Sequence, residues 1–348
     1  MAEIGKYIYG IINSNKKFFF DSCGVTTYEE GHTIPYQDIS ALVSDSEIAD
    51  YTHLPKDALA LQLVRHQRII EKIMNSGLTV IPMRLGTFTK GETEVRDILN
   101  KGYSLIKRIL EKIRDKIEID LVATWSDLNL ILKEAGEEEE IKEFKERFLS
   151  DPKGVSVEDQ IKGGEMVKKA LDKRRAGYAE DIQESLKAMS EDSKVHEIMD
   201  DKMVINTAFL IDKARIKGFD RRVEELDMQF AERLNFRSVG PLPPYSFYTL
   251  EIKRLRFEEV DWARKRLGLK DVLGKDEIKK AYQRSAFLWH PDKNPAIPGI
   301  EKEFDDVTKA YRILADYCRV CEQRGQEIYS FKEEDFRKNG ILVKVKEG

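Results

Sequence analysis

The chain has 348 residues, of which 41% are hydrophobic and 35% are charged, and its formal net charge is -4. This length accommodates two or three domains, and the slightly acidic balance argues against a general nucleic-acid binder. No apolar run approaches the length of a membrane span, and the first residues lack the shape of a signal peptide. The 3 cysteines suit a reducing cytoplasm.

The first part of the chain predicts a ferredoxin-like α+β domain over residues 1–127. The predicted elements are strands over 7–12 and 39–44, a helix from about 56, a strand over 78–83, a helix over 92–114 and a strand over 117–121. Both helices are expected to cover one face of a small, mainly antiparallel sheet. The buried stripe of the first helix is predicted at Leu59, Leu63, His66, Ile70 and Ile73. His66 is therefore expected to be a hydrogen-bonded core histidine, with a catalytic base as the less favoured alternative.

The second part predicts another α+β domain, over residues 128–255. The predicted elements are a charged helix from about 136, a break at 151–154, a helix over 157–189, a strand over 203–211, a helical face over 219–234 and a strand over 248–252. The prolines at 241, 243 and 244 exclude a helix and predict a rigid turn before the last strand.

Two amphipathic helical patterns, over 276–289 and 304–316, flank the tripeptide His290-Pro291-Asp292. Pro291 cannot continue the first helix, so the tripeptide is expected in the loop between the two. A short helix near Trp262 is expected to precede them. Residues 256–325 therefore predict a small helical hairpin domain. The tail over 326–348 contains an alternating pattern at 341–346 that predicts an edge strand.

This arrangement resembles a J-domain over about residues 257–320, the module with which co-chaperones stimulate a DnaK-type ATPase. The resemblance implies that the chaperone-binding residues are His290, Pro291, Asp292, Lys279, Lys280, Tyr282 and Arg284. Gln283 and Leu288 stand where basic residues are common in the family, which weakens electrostatic steering toward an acidic partner. The alternative is a degenerate J-domain that is kept for packing or docking.

A second resemblance, to the GvpF/GvpL gas vesicle protein family, spans about residues 5–254. The matching segments are the strand at 7–11, the helix with His66, Gln67 and Glu71, and the runs at 80–87, 206–210 and 240–247. Gly-Pro-Leu-Pro-Pro-Tyr-Ser-Phe at 240–247 is the most specific of these. The resemblance implies a modified ferredoxin-like domain joined to a second α+β domain. It also implies a non-enzymatic accessory protein that is located at gas vesicles in the cytoplasm and binds their hydrophobic main shell subunit and other accessory proteins.

Three residues are candidates for contact with a shell subunit. Arg84 is a charged residue in an otherwise apolar run that ends at Gly86, although it could equally pair with a neighbouring carboxylate. Tyr245 and Phe247 follow the prolines and are aromatic residues of the kind that interfaces favour. Packing within their own domain is the alternative role for these two.

Other functional classes stay open. The chain could be a general co-chaperone with client-binding N-terminal domains, or a minor structural component of a vesicle shell. An enzyme is less favoured, because the sequence lacks a Gly-rich phosphate loop, GxSxG and HExxH. Cys318 and Cys321 form a CxxC on a helix tail, and only Cys23 remains as a third thiol. We therefore expect incidental thiols, no metal and no cofactor.

Overall fold

The structure is a computed structural model of the chain, and it describes residues 3–21, 30–149, 156–295 and 297–346. The chain forms two compact units: unit 1 combines residues 1–114 with 248–348, and unit 2 comprises residues 115–247. Helices and strands alternate in both, which confirms the α+β class. The domain boundaries after residues 127, 255 and 325 stay predictions, and the predicted break at 151–154 lies outside the described residues.

The first part of unit 1 is built on an antiparallel sheet. Its elements, in chain order, are β1 (Ile4–Ile12), β2 (Phe19–Asp21), β3 (Glu30–Tyr36), β4 (Ile39–Glu47), α1 (Lys56–Asn75), β5 (Val80–Pro82), β6 (Phe88–Thr89) and α2 (Glu92–Lys112). The strands lie in the order β2-β3-β4-β1-β5, and β6 pairs with the first half of β1. The sheet is antiparallel throughout these pairs, as short connections between neighbouring strands allow.

Helices α1 and α2 lie on opposite faces of this sheet. His66 of α1 contacts Tyr7 of β1, whereas the next strand residue, Ile8, belongs to the core formed with Ile98 of α2. Successive residues of a strand point to opposite faces, so one helix covers each. The ferredoxin-like arrangement with both helices on one face is therefore not confirmed. Leu63, which was expected in the buried stripe of α1, is 48% exposed.

Unit 2 is a four-stranded antiparallel sheet with helices packed on it. Its elements are β7 (Lys116–Trp125), α3 (Leu128–Gly136), α4 (Glu139–Leu149), α5 (Val157–Lys187), β8 (Asp192–Val195), β9 (Met203–Asp212), α6 (Ile216–Gln229), β10 (Leu234–Leu242) and α7 (Tyr245–Tyr248). The strand order is β10-β7-β9-β8. The sequence pattern grouped β7 with the first domain because it directly follows α2, but β7 pairs with β9 and β10. Leu234, expected on a helical face, begins a strand instead.

The second part of unit 1 contains the helical hairpin. Its elements are β11 (Leu250–Arg254), α8 (Phe257–Arg266), β12 (Val272–Gly274), α9 (Lys275–Leu288), α10 (Ile300–Gln323), β13 (Ile328–Ser330), α11 (Glu333–Asn339) and β14 (Ile341–Val345). Helices α8, α9 and α10 enclose one apolar core. Strand β14 pairs antiparallel with β11. No helix in the described ranges is long and apolar enough to cross a membrane.

Candidate functional site

The tripeptide occupies a tight, solvent-facing turn directly after α9. Residues Pro291–Lys293 form a single 3-10 turn, and the Nδ1 atom of His290 caps it by accepting a hydrogen bond from the Asp292 backbone N–H at 3.2 Å. The side chains of His290 and Asp292 are 42% and 89% exposed. An approaching protein can therefore reach both side chains without rearrangement of the loop.

Side-chain contacts fix this turn to the two helices. The ring of His290 packs edge-on against Phe304 of α10, with ring centroids 5.3 Å apart. The Asn294 side-chain amide donates to the carbonyl oxygen of Leu288 at 2.9 Å, which ties the end of the turn to the end of α9. Lys293 lies over the ring of Phe287 at 3.2 Å. The turn is thus held by contacts on both sides, which limits the conformational entropy that binding must remove.

The outer face of α9 continues from the turn as a cationic strip. We define this strip as Lys279, Lys280 and Arg284, all of which are exposed. Within the described part of the chain, none of the three forms an ion pair, so their charge is directed at solvent. Clustered cations on an exposed helix face attract an acidic surface and accelerate encounter with it. The three cations predicted from the sequence are thus exposed on the helix that leads into the turn.

Tyr282 has a different environment from the cationic strip. It is half-buried, and its ring stacks on Tyr311 of α10 with a centroid distance of 4.2 Å and an interplanar angle of 19°. Ile278 and Ala281 are buried on the same side of α9. Stacked aromatic rings contribute beyond the area that they bury, so Tyr282 helps to set the packing of α9 on α10 as well as lying near the face expected to bind a chaperone.

Arg84, a candidate contact for a shell subunit, lies in unit 1 after β5. Its side chain is 59% exposed and forms an ion pair with Glu251 at 3.3 Å. Glu251 also pairs with Lys344 of β14 at 3.0 Å, and the Arg84 backbone N–H donates to the carbonyl oxygen of Leu250 at 2.7 Å. The exposed guanidinium is accessible to a partner, but the carboxylate neighbour considered in the sequence analysis is present too.

Tyr245 and Phe247, the other two candidates, lie in unit 2 on a turn held by a buried carboxylate. Glu118 of β7 is only 1% exposed, and it accepts hydrogen bonds from the Ser246 backbone N–H at 2.8 Å and the Ser246 hydroxyl at 2.7 Å. The same hydroxyl lies 3.1 Å from Nε2 of His196. Phe247 is 5% exposed, which favours a packing role over that of an exposed anchor.

Burial raises the pKa of Glu118 from its ordinary 4.5 to about 8, and the neighbouring Asp120 adds to this effect. Burial raises the pKa of Asp120 as well. The two carboxyl groups are two residues apart on one strand and so point to the same face, where they favour sharing a proton. Sequence reasoning missed this group, because a Glu that alternates with isoleucines is typical of a solvated strand face.

Two further residue groups are structural in the described parts of the chain. The hydroxyl of Tyr7 and Nδ1 of His66 are 2.7 Å apart, and burial lowers the pKa of His66 to about 4. The prediction of a hydrogen-bonded core histidine is confirmed. Cys318 and Cys321 are buried free thiols, and burial raises the pKa of Cys321 to about 11, which makes it a poor nucleophile. Cys23 lies outside the described residues, and no His, Cys, Asp and Glu cluster in the remainder is arranged to hold a metal.

Comparison with known protein families gives two matches that divide the chain. Residues 5–249 match the model of the gas vesicle synthesis protein GvpL/GvpF family, and residues 265–319 match the DnaJ domain. Both resemblances stated from the sequence are confirmed. The matches leave residues 320–348 outside either model, although this segment contributes three elements to unit 1.

Individual relatives agree with these matches. The chain is 25% identical to gas vesicle protein F of Nostoc sp. over 225 residues, which is 62% of this chain and 91% of the relative. It is 26% identical to gas vesicle protein F of a Streptomyces sp. over 243 residues, covering 69% and 98% of the two chains. The chaperone protein DnaJ of Chlamydia pneumoniae is 46% identical over 50 residues, covering 14% and 13%.

Solved structures show the same fold. The crystal structure of GvpF from Anabaena sp. aligns with a TM-score of 0.59 at 23% identity, and the match covers 70% of this chain and 97% of that one. GvpF from Microcystis aeruginosa aligns with a TM-score of 0.56 at 22% identity, covering 70% and 98%. The DnaJ-like segment is thus additional to a complete GvpF-like fold.

Proposed function

Because the chain belongs to the gas vesicle synthesis protein GvpL/GvpF family and carries a DnaJ domain, we propose that it is an accessory protein that couples vesicle assembly to a chaperone. Its GvpF-like part binds the hydrophobic main shell subunit, beside other accessory proteins of the vesicle. Its DnaJ domain recruits a DnaK-type ATPase through the His290 turn and the cationic strip. It acts in the cytoplasm at gas vesicles and catalyses no reaction of its own.

The observation that carries this proposal is the geometry of the DnaJ domain. The His290 and Asp292 side chains are accessible, and the cations of the strip lie on the helix that leads into their turn. A domain kept only for packing would have no need for an exposed tripeptide turn anchored on both sides. These features support an active recruitment surface over a degenerate domain.

Coupling shell-subunit binding to a chaperone would limit aggregation of the shell subunit. A shell subunit with a large apolar face aggregates unless the face is covered before polymerisation. An accessory protein that holds the subunit lowers its free concentration, and a chaperone recruited to the same place can bind segments that remain exposed. The proposed function therefore needs both parts of the chain at the same time.

The test is aggregation of the purified main shell subunit on dilution from denaturant, followed by light scattering with the full chain, the host's DnaK-type chaperone and ATP. We expect the wild-type chain to suppress scattering further when chaperone and ATP are added, and His290→Gln to lose only that additional suppression. His53→Gln, at an exposed histidine outside the DnaJ domain, is the matched control and is expected to behave as wild type. Equal suppression with His290→Gln would refute recruitment, and no suppression by the chain alone would refute shell-subunit binding.

A further inference from the structure

The segment that follows the DnaJ domain returns to the GvpF-like part of unit 1. Strand β14 pairs antiparallel with β11 in an unbroken register from Leu250 opposite Val345 to Arg254 opposite Ile341. Strand β11 lies where the GvpL/GvpF match ends, and β14 lies beyond the DnaJ match. Two segments separated by the whole DnaJ domain are thus joined by a continuous hydrogen-bonded ladder.

Neighbouring side chains of β14 enter two different cores. Leu342 is fully buried in the core enclosed by α8, α9 and α10, whereas Val343 is fully buried in the core between α2 and the first sheet. Because successive strand residues point to opposite faces, one strand fills both cores at once. The same division occurs around β11: Leu250, its first residue, belongs to the core between α2 and the first sheet (the sheet core), and Leu255, directly after its end, belongs to the core enclosed by α8, α9 and α10 (the DnaJ core).

Polar contacts reinforce the same junction. The side-chain amide of Gln323, at the end of α10, donates to the carbonyl oxygen of Val343 at 2.8 Å. Lys253 of β11 forms an ion pair with Asp316 of α10 at 2.6 Å, and Asp316 is 8% exposed. On the other side, α2 carries Gly102 where β14 crosses it, and a Cβ atom there would lie 3.0 Å from a methyl group of Val343. The helix and the strand approach closely because this residue has no side chain.

The residues between α10 and β14 contribute aromatic side chains to the core enclosed by α8, α9 and α10. Tyr329, Phe331 and Phe336 are at most 7% exposed and all belong to that core. Tyr317 of α10 stacks on Phe336 at 5.7 Å and donates its hydroxyl hydrogen to the carbonyl oxygen of Ser330 at 2.5 Å. Removing this segment would expose the ring of Tyr317 on α10 to solvent, and the loss of β14 would leave a gap in both cores.

We propose that residues 328–345 are a clasp that joins the DnaJ domain and the first sheet into one cooperative folding unit. The clasp holds the His290 turn at a fixed position relative to the GvpF-like sheet. A chaperone bound there would be held at a set place and orientation, in contrast to one recruited through a domain on a flexible linker. The proposed clasp concerns only the fold of unit 1 and does not depend on the proposed function.

The first test measures amide hydrogen exchange in the full-length protein. Val343→Asp places a carboxylate in the sheet core, and we expect protection to fall about tenfold or more in α2 and in α10 together, since a shared unit opens as one. Val195→Asp makes the same change at a strand position that is 66% exposed, and it is expected to leave both helices protected. Loss of protection in α2 with α10 unchanged would overturn the proposal.

A second test avoids a disruptive core variant. Spin labels at Lys72→Cys on α1 and Lys302→Cys on α10, both exposed positions, report the distance between sheet and DnaJ domain in a Cys23→Ser background. We expect a single narrow distance distribution. A broad distribution, as a flexible tether gives, would overturn the clasp. Neither test contains a chaperone or a shell subunit, so failure here is distinguishable from failure of the proposed function.

Discussion

The buried carboxyl of Glu118 predicts that unit 2 loses stability as pH rises. Its pKa is raised from 4.5 to about 8 in the folded protein, so between these values the folded state retains a proton that the unfolded state has released. The free energy of unfolding therefore falls with rising pH across that window; below the window this group has no effect, and above it the loss is complete and constant. Burial raises the pKa of the neighbouring Asp120 as well, so the two carboxyl groups titrate as a coupled pair and the transition is spread.

The size of the effect follows from the difference between the two pKa values. At about 1.4 kcal/mol per pH unit, the pKa of about 8 against 4.5 sets a ceiling of roughly 5 kcal/mol. Glu118 and Asp120 titrate as a coupled pair, so the loss of stability belongs to the pair and is expected to be on the order of a few kcal/mol. Glu118→Gln keeps one hydrogen-bond acceptor for Ser246 but cannot ionise, so its unfolding free energy should fall less than that of the wild type over the same range, with only the contribution of Asp120 remaining.

The assay is urea unfolding between pH 5 and 8, followed by the fluorescence of Trp125, which lies in unit 2 and is 4% exposed. Trp262→Phe and Trp289→Phe remove the signals from unit 1. Glu184→Gln, at an exposed glutamate in the same unit, is the control and should retain the wild-type slope. A slope in Glu118→Gln as steep as in the wild type, or a wild type that gains stability with rising pH, would refute the reasoning.

Three further predictions concern the DnaJ domain. Phe304→Ala removes the ring against which His290 packs, so stimulation of the chaperone ATPase should fall several-fold while the circular dichroism spectrum is retained. Replacing Lys279 and Lys280 together by Glu should weaken chaperone binding at least about tenfold at low salt, with a smaller loss at high salt, in a titration by fluorescence anisotropy. Tyr282→Ala removes the stack on Tyr311 and should destabilise unit 1 by about 2 kcal/mol in urea unfolding.

Each of these predictions has an outcome that contradicts it. Unchanged stimulation with Phe304→Ala would mean that the His290 ring needs no support from α10. A charge reversal of the strip with no effect at low salt would exclude an electrostatic contact. A Tyr282→Ala variant as stable as the wild type would place its role at the surface, and its effect on chaperone binding would then have to be measured instead.

Many of the helices, strands and turns could be predicted from the sequence because each of their motifs is a contiguous stretch of residues. The helices beside His290 and the turn at Pro291 follow from periodicity and from the missing proline N–H, and the structure contains both. The core histidine at position 66 followed from its place on an apolar stripe. By contrast, β3 was not predicted, since Gly31 and Pro35 interrupt its pattern, yet it pairs with β4 over six positions.

The features that could not be predicted from the sequence depend on contacts between residues far apart in the chain. Strand β7 follows α2 directly but pairs with strands about 90 and 115 residues later, which no local pattern encodes. The hydrogen bonds from Ser246 to Glu118 span 128 positions, so the buried carboxylate had no recognisable local signal. The alternation at 341–346 predicted a strand, but only the fold shows that its two faces enter separate cores.

Recruitment of a DnaK-type ATPase to gas vesicle assembly, as proposed for this chain, is tested most directly by the steady-state ATPase rate of the host's chaperone. We expect the full chain to raise this rate and the shell subunit to raise it further. His290→Gln should abolish both increases, and His53→Gln should preserve them. No increase over the basal rate with the wild-type chain, with or without the shell subunit, would show that the chain does not recruit the chaperone.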